Sequence, residues 1–151
     1  MPDSATTEAV RYLLEQQTLV RAPLRQIGVD TPLGPFSVGT FAPFSLPGQA
    51  FVHFGRLRFY LKRTSAILGF WISAAVSPVG ADLIGQLRHN GTVTAAIASI
   101  PPGSNVSPEV RPGTLFLNPD DYITMDIIQT GSSPVVGGDV VGHVEIATLT
   151  A

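Results

Sequence analysis

From residue 51 onward, apolar and polar positions alternate with the period of two that a half-buried β-strand requires. Gly55, Leu57, Phe59 and Leu61 fall on one side of the first such run, and Arg56, Arg58, Tyr60 and Lys62 on the other. This predicts a strand with a basic outer face. Ala66 to Val76 is apolar on both faces, as a central strand covered on both sides would be. Trp71, amid Ile67, Leu68, Phe70 and Ile72, reads as part of the core. Pro78-Val79-Gly80 turns the chain. Asp82 to His89 then places Leu83 and Leu87 on one face and Asp82, Ile84, Gln86 and Arg88 on the other. Asn90-Gly91 follows directly, and this pair favours the type I′ hairpin turn because both positions need positive φ. Thr92 to Ile100 returns. A long loop runs from Pro101-Pro102-Gly103 through Pro112-Gly113, before a short strand at Leu115-Phe116-Leu117 and a turn at Asn118-Pro119-Asp120-Asp121. Tyr122 to Thr130 sets Ile123, Met125 and Ile127 against Tyr122, Thr124 and Asp126. After a Gly/Ser/Pro loop, Val140 to Leu149 closes with Val140, Val144 and Ile146 on one face. About seven to eight short strands with no helix among them predict an all-β chain, with a β-sandwich or jelly-roll-like domain over 51–151.

The first fifty residues follow another pattern. Thr6 or Thr7 can cap a short helix of about 7–17, with Glu8 in its first turn and Val10, Leu13, Leu14 and Gln17 along one stripe. Pro23, Pro32, Pro35, Pro43 and Pro47 then recur among Leu24, Ile27, Val29, Phe36, Phe41 and Phe44. Each proline removes a donor and biases its predecessor toward extended backbone. Extended, Pro-punctuated and apolar describes an N-terminal arm, 1–50, that lies along a surface; edge strands of the same domain would fit the pattern too. On the arm reading, Val10, Leu13, Leu14, Leu24, Ile27, Val29, Phe36, Phe41 and Phe44 are candidate partner-binding residues.

Charge changes this picture in two ways. Only 13% of the residues are charged, about half of the roughly 25% usual in soluble domains. So little charge implies a surface that meets other protein, although a Ser/Thr/Gly-rich monomer would also be poor in charge. The charge is also unevenly placed. Arg56, Arg58, Lys62 and Arg63 form a basic segment and a second set of candidate partner contacts. From Pro112 onward there is no Lys or Arg, but there are Asp120, Asp121, Asp126, Asp139 and Glu145. The two segments can pair within a subunit, pair between subunits, or be solvated strand faces. A net charge of −2 predicts no nucleic-acid partner. No signal peptide or membrane span is expected. The abundance of Pro and the preference for Arg over Lys suit a thermostable protein, and a GC-rich genome would leave the same bias.

Catalytic and metal chemistry find little support. His53, His89 and His143 lack the spacing of a paired metal motif and there is no cysteine, so no metal site is expected. Asp120, Asp121 and Asp126 do not follow the EF-hand pattern, and Asp is ordinary in an N-P-D-D turn. There is no G-x-S-x-G elbow and no phosphate-binding loop. The expectation is a protein that is not an enzyme, with no cofactor and no small-molecule substrate.

The second half of the chain resembles a β-sandwich module of tailed-phage virion proteins. The resemblance is carried by Ser77-Pro78-Val79-Gly80-Ala81-Asp82-Leu83-Ile84, His89-Asn90-Gly91-Thr92, Leu117-Asn118-Pro119-Asp120-Asp121-Tyr122-Ile123-Thr124-Met125-Asp126-Ile127, Gln129-Thr130-Gly131-Ser132-Ser133 and Gly137-Gly138-Asp139-Val140-Val141. Asp120 stands where that family usually has Gly. Such modules occur in capsid decoration (cement), head-fibre and tail or baseplate proteins, and a chain of this size with an apolar arm looks most like a head decoration protein. The resemblance implies a virion protein, made in the host cytoplasm and placed on the capsid surface. It would bind the major capsid protein and itself as a homo-oligomer, a trimer by analogy, with the arm contacting neighbouring subunits. A carbohydrate-binding sandwich, using Tyr60, Tyr122 or Phe116 as its platform, and a tail or baseplate component are the alternatives.

Overall fold

The computed structural model describes residues 36–113, 115–132 and 136–149. They form eight strands: β1 (Phe36–Gln49), β2 (Phe59–Tyr60), β3 (Ser65–Val76), β4 (Leu83–His89), β5 (Thr92–Ile100), β6 (Leu115–Leu117), β7 (Tyr122–Thr130) and β8 (Gly138–Leu149). Two four-stranded sheets result, in the orders β1-β8-β3-β6 and β2-β7-β4-β5, and every strand pair is antiparallel. The order has a simple origin. First pairs with last, second with seventh, third with sixth and fourth with fifth, as in one long hairpin. Rolling that hairpin up sets β8 beside β3 and β7 beside β4, which is the jelly roll. The described residues are all-β, as the periodicity predicts, with no helix among them.

Alternation places the core between the sheets. Ile67, Phe70 and Ile72 of β3 and Val140, Val144 and Ile146 of β8 face Leu83 and Leu87 of β4 and Ile123, Met125 and Ile127 of β7. The Asn90-Gly91 turn forms as expected, with φ of 50° and 86°. Asp120 itself takes φ 70°, so the turn keeps the left-handed position that glycine would occupy. Asp tolerates that conformation better than most residues.

Four expectations differ from the structure. Residues 36–49, assigned above to the arm, are a full strand of the domain, hydrogen-bonded along β8. Pro43 and Pro47 coincide with register shifts between Phe41 and Phe44 and between Leu46 and Gln49. Because β1 is an edge strand, these prolines interrupt no ladder on its outer side. Phe44 therefore lies in the core, 1% exposed, where it cannot meet a partner. Phe41 is exposed and packs its ring against Phe59 of the opposite sheet at 6.1 Å. Trp71 is not core: it is half-buried on the outer face of β3, stacked on His143 of β8 at 5.3 Å. The strand predicted around 55–62 shrinks to Phe59–Tyr60, for a reason given below. The predicted helix of about 7–17, and Val10, Leu13, Leu14, Leu24, Ile27 and Val29, lie outside the described residues. Phe36 enters β1 opposite Leu149.

If β1 belongs to the domain, Phe44→Ala should cost about 3–5 kcal/mol in urea unfolding, as for other buried Phe truncations. Deleting residues 1–50 should abolish cooperative unfolding, because it strips β8 of one neighbour. A truncated chain that unfolds at the full-length midpoint would show that β1 is dispensable.

Candidate partner-binding surface

The second strand position is broken by a bulge, and the bulge makes the most distinctive surface of the molecule. His53 pairs with Ile127 through two backbone hydrogen bonds of 3.1 and 3.0 Å. Pairing resumes at Phe59 opposite Ile123. Six residue steps on one side thus span four on the other, and the excess loops outward.

A single carboxylate holds the bulge. Asp126 lies on the outward side of β7, where alternation predicts a solvated residue, yet it is 0% exposed. Its Oδ1 accepts the Gly55 N–H at 2.8 Å, and its Oδ2 accepts Arg88 Nε–H at 2.5 Å. Gly55 has φ +59°, a conformation that glycine adopts without strain. Arg88 also donates from Nη1 to the Gly91 carbonyl at 3.1 Å. The buried charge is thereby matched and hydrogen-bonded, the condition under which burying it is tolerable.

Raised on this anchor, Phe51, Val52, Phe54, Leu57 and Tyr60 are exposed, Phe54 to 61%. Guanidinium groups interleave with the rings. Arg56 lies 5.0 Å from the Phe51 ring centroid, Arg88 5.5 Å from that of Phe54 and Arg58 4.5 Å from that of Tyr122. Arg58 Nη1 donates to the Tyr60 hydroxyl at 3.3 Å, and the Tyr60 and Tyr122 rings are 5.4 Å apart. Among the described residues, neither Arg56 nor Arg58 has a carboxylate partner. Two clefts flank the bulge. One, about 290 Å³, is lined by residues including Leu46, Pro47, Phe51, His53, Arg56 and Leu57. The other, about 160 Å³, lies between Phe54, Gly55, Arg58, Arg88, Tyr122 and Thr124.

Of the basic residues predicted for binding, the structure brings Arg56 and Arg58 into this surface. Lys62 pairs instead with Asp120 at 2.7 Å, both highly exposed, a contact that contributes little. Arg63 is exposed on a bend before β3. Sequence reasoning missed Phe51, Val52, Phe54, Arg88 and Asp126. The only signal was two phenylalanines flanking Val52-His53 ahead of a glycine, too short a run to separate a bulge from a strand.

Two buried side-chain atoms lack a hydrogen-bond partner among the described residues, His53 Nδ1 and Thr124 Oγ1. Asp120, Asp121 and Asp126 diverge, and no group of three or more His, Asp or Glu that could hold a metal ion exists among the described residues. Asp121 accepts from Asn90 Nδ2 at 2.9 Å and from the Asn118 N–H at 2.8 Å, and its Oδ2 meets His89 Nε2 at 2.8 Å. Partial burial pushes its carboxyl upward, but bonds from Asn90, His89 and Asn118 outweigh this and hold it below the usual range. Burial lowers His53, helped by nearby Arg56 and opposed by Asp126. Burial also lowers His143, which shares a 2.9 Å hydrogen bond with Ser73 Oγ.

No protein-family profile and no curated protein matches the chain. Similar solved structures include a Podospora anserina GH26-CBM35 β-(1,4)-mannanase, at 15% identity and TM-score 0.41 over 76% of this chain and 28% of that one. Infectious bursal disease virus Gx strain matches at 13% identity and TM-score 0.38, over 77% of this chain and 33% of the other. Tobacco streak virus coat protein matches at 8% identity and TM-score 0.39, over 77% and 86%. The chain therefore spans only about a third or less of the first two, and likenesses this distant assign no role.

Asp126→Asn should cost about 2–3 kcal/mol in chemical unfolding, because Arg88 loses its charge partner while Gly55 keeps an acceptor. An unchanged midpoint would show that the carboxylate does not anchor the bulge. The pH dependence follows from the direction of the shifts. His53 and His143 titrate below their ordinary value in the fold, so the unfolded chain takes up protons first. Their contribution is complete above about pH 6.5 and falls as pH drops toward their folded values. Asp121 adds stability above its ordinary value of about 3.9 and loses it as pH falls through its lower folded value. The melting temperature should fall in two separate acid steps, and His53→Gln with His143→Gln should flatten only the first.

Proposed function

We propose that this chain is a non-enzymatic virion structural protein that binds and stabilises the outside of a tailed-phage capsid as a decoration or cement protein. The observation that carries the reading is the bulge surface. Exposed Phe51, Phe54, Leu57 and Tyr60, interleaved with Arg56 and Arg58, whose charges no carboxylate among the described residues offsets, have the aromatic and arginine composition of a protein–protein interface centre. The phage-like turn motifs and the jelly roll, an architecture found among viral capsid domains, support it. The partner would be the major capsid protein, with self-association, a trimer by analogy, at the capsid surface. The arm preceding β1 would contact neighbouring subunits. A carbohydrate-binding module is the second reading, favoured by the exposed Tyr60 ring beside Tyr122. It is weakened by Arg58, which lies over the Tyr122 face a sugar would need.

Heads assembled from the phage's major capsid protein alone should carry this chain on sedimentation and should survive heating that opens bare heads. Phe54→Ala and Arg58→Ala should each weaken that binding by about 30-fold or more, the hot-spot range, without moving the melting temperature. Heads that sediment bare, or protein found on tails instead, would overturn the decoration role. Retention on a glycan array without capsid binding would favour the second reading.

A further inference from the structure

We infer that the smaller cleft beside the bulge is a receptor for one carboxylate side chain, an Asp or Glu, presented by a protein partner. The inference rests on the docking role proposed above and names what the docked surface carries. Its starting point is Thr124. This residue is 3% exposed and lines the cleft, and its Oγ1 is buried with no hydrogen-bond partner among the described residues. Buried hydroxyls are normally satisfied, and leaving one unmade is unfavourable. An incoming acceptor would satisfy it. Gly55 puts no side chain against that hydroxyl oxygen, where a Cβ would stand 3.7 Å away.

Charge selects the acceptor. Arg88 is offset by Asp126, whereas among the described residues Arg58 hydrogen-bonds only a neutral phenol. Among the described residues the cleft thus carries about one uncompensated positive charge, which one carboxylate matches. Arg88 commits Nε to Asp126 and Nη1 to the Gly91 carbonyl, so its guanidinium plane is fixed with Nη2 still able to donate. Fixed donors lose little freedom on binding. Phe54 and Tyr122 wall the cleft. Size argues for a single side chain. At about 160 Å³ the cleft is about half the lower end of the roughly 300–1,000 Å³ range of small-molecule sites.

The test is an amide NMR titration of the full chain with N-acetyl-L-glutamate N-methylamide, its glutamine counterpart and D-glucuronate. The glutamate probe should give saturable shifts at Gly55, Gly91 and Thr124, and the glutamine probe none. Arg58→Gln and Thr124→Val change one exposed and one near-isosteric side chain. Each should weaken binding about tenfold, as expected for losing one charge-assisted hydrogen bond. Equal response to both amino-acid probes, unaltered binding in the variants, or tighter binding of glucuronate would overturn the assignment. No capsid enters this titration, so the two readings fail separately. A chain that decorates heads but ignores the glutamate probe refutes the cleft assignment alone. A chain that binds the probe but leaves heads bare refutes the decoration role.

Discussion

β8 is the strand on which the fold closes. From Gly138 to Leu149 it is hydrogen-bonded on both edges, to β1 on one side and β3 on the other. Its inward residues Val140, Val144 and Ile146 sit at the centre of the core. Without it, β1 would have no partner, and β3 would keep a three-residue pairing with β6 and isolated bridges to Val106 and Val110. The contacts that β8 makes join the two ends of the described chain. Their closure entropy must be met before any local gain, which places this protein among the slower-folding topologies. A β1 interrupted by two prolines is tolerable because β8 supplies a continuous template opposite it.

What could be read from the sequence was what alternation encodes. The inward faces of β4, β7 and β8 match the pattern residue for residue, and the Asn90-Gly91 turn has a local chemical cause that no tertiary contact overrides. Legibility failed where burial comes from outside the strand's own period. Asp126 has the position of a solvated residue and is buried because the bulge covers it. Trp71 has apolar neighbours on both sides, yet alternation turns it outward against His143. The prolines of β1 looked like strand breakers because edge position and register shifts are properties of the whole sheet.

The candidate surface shows the same division. Arg56 and Arg58 could be picked out by charge density, but not what lies between them. The interleaving of guanidinium groups with Phe51, Phe54 and Tyr122 depends on where a departing backbone loop is tied down. That tie is one buried carboxylate shared between a backbone amide and an arginine. A buried charge of this kind adds little net stability against an apolar replacement. Its value here is positional: it gives a loop rich in aromatic side chains the definition of a strand.

The bulge also constrains how this surface can vary in length. It adds an even number of residues between His53 and Phe59, six steps against four. Side chains on a strand alternate, so an even excess leaves Phe59 and Leu61 on the inward side where they meet the core. An odd insertion would turn both outward and bring Tyr60 in. Natural or engineered variants of this loop should therefore lengthen or shorten in pairs. Parity makes the exposed surface free to diversify while the sandwich beneath it stays in register.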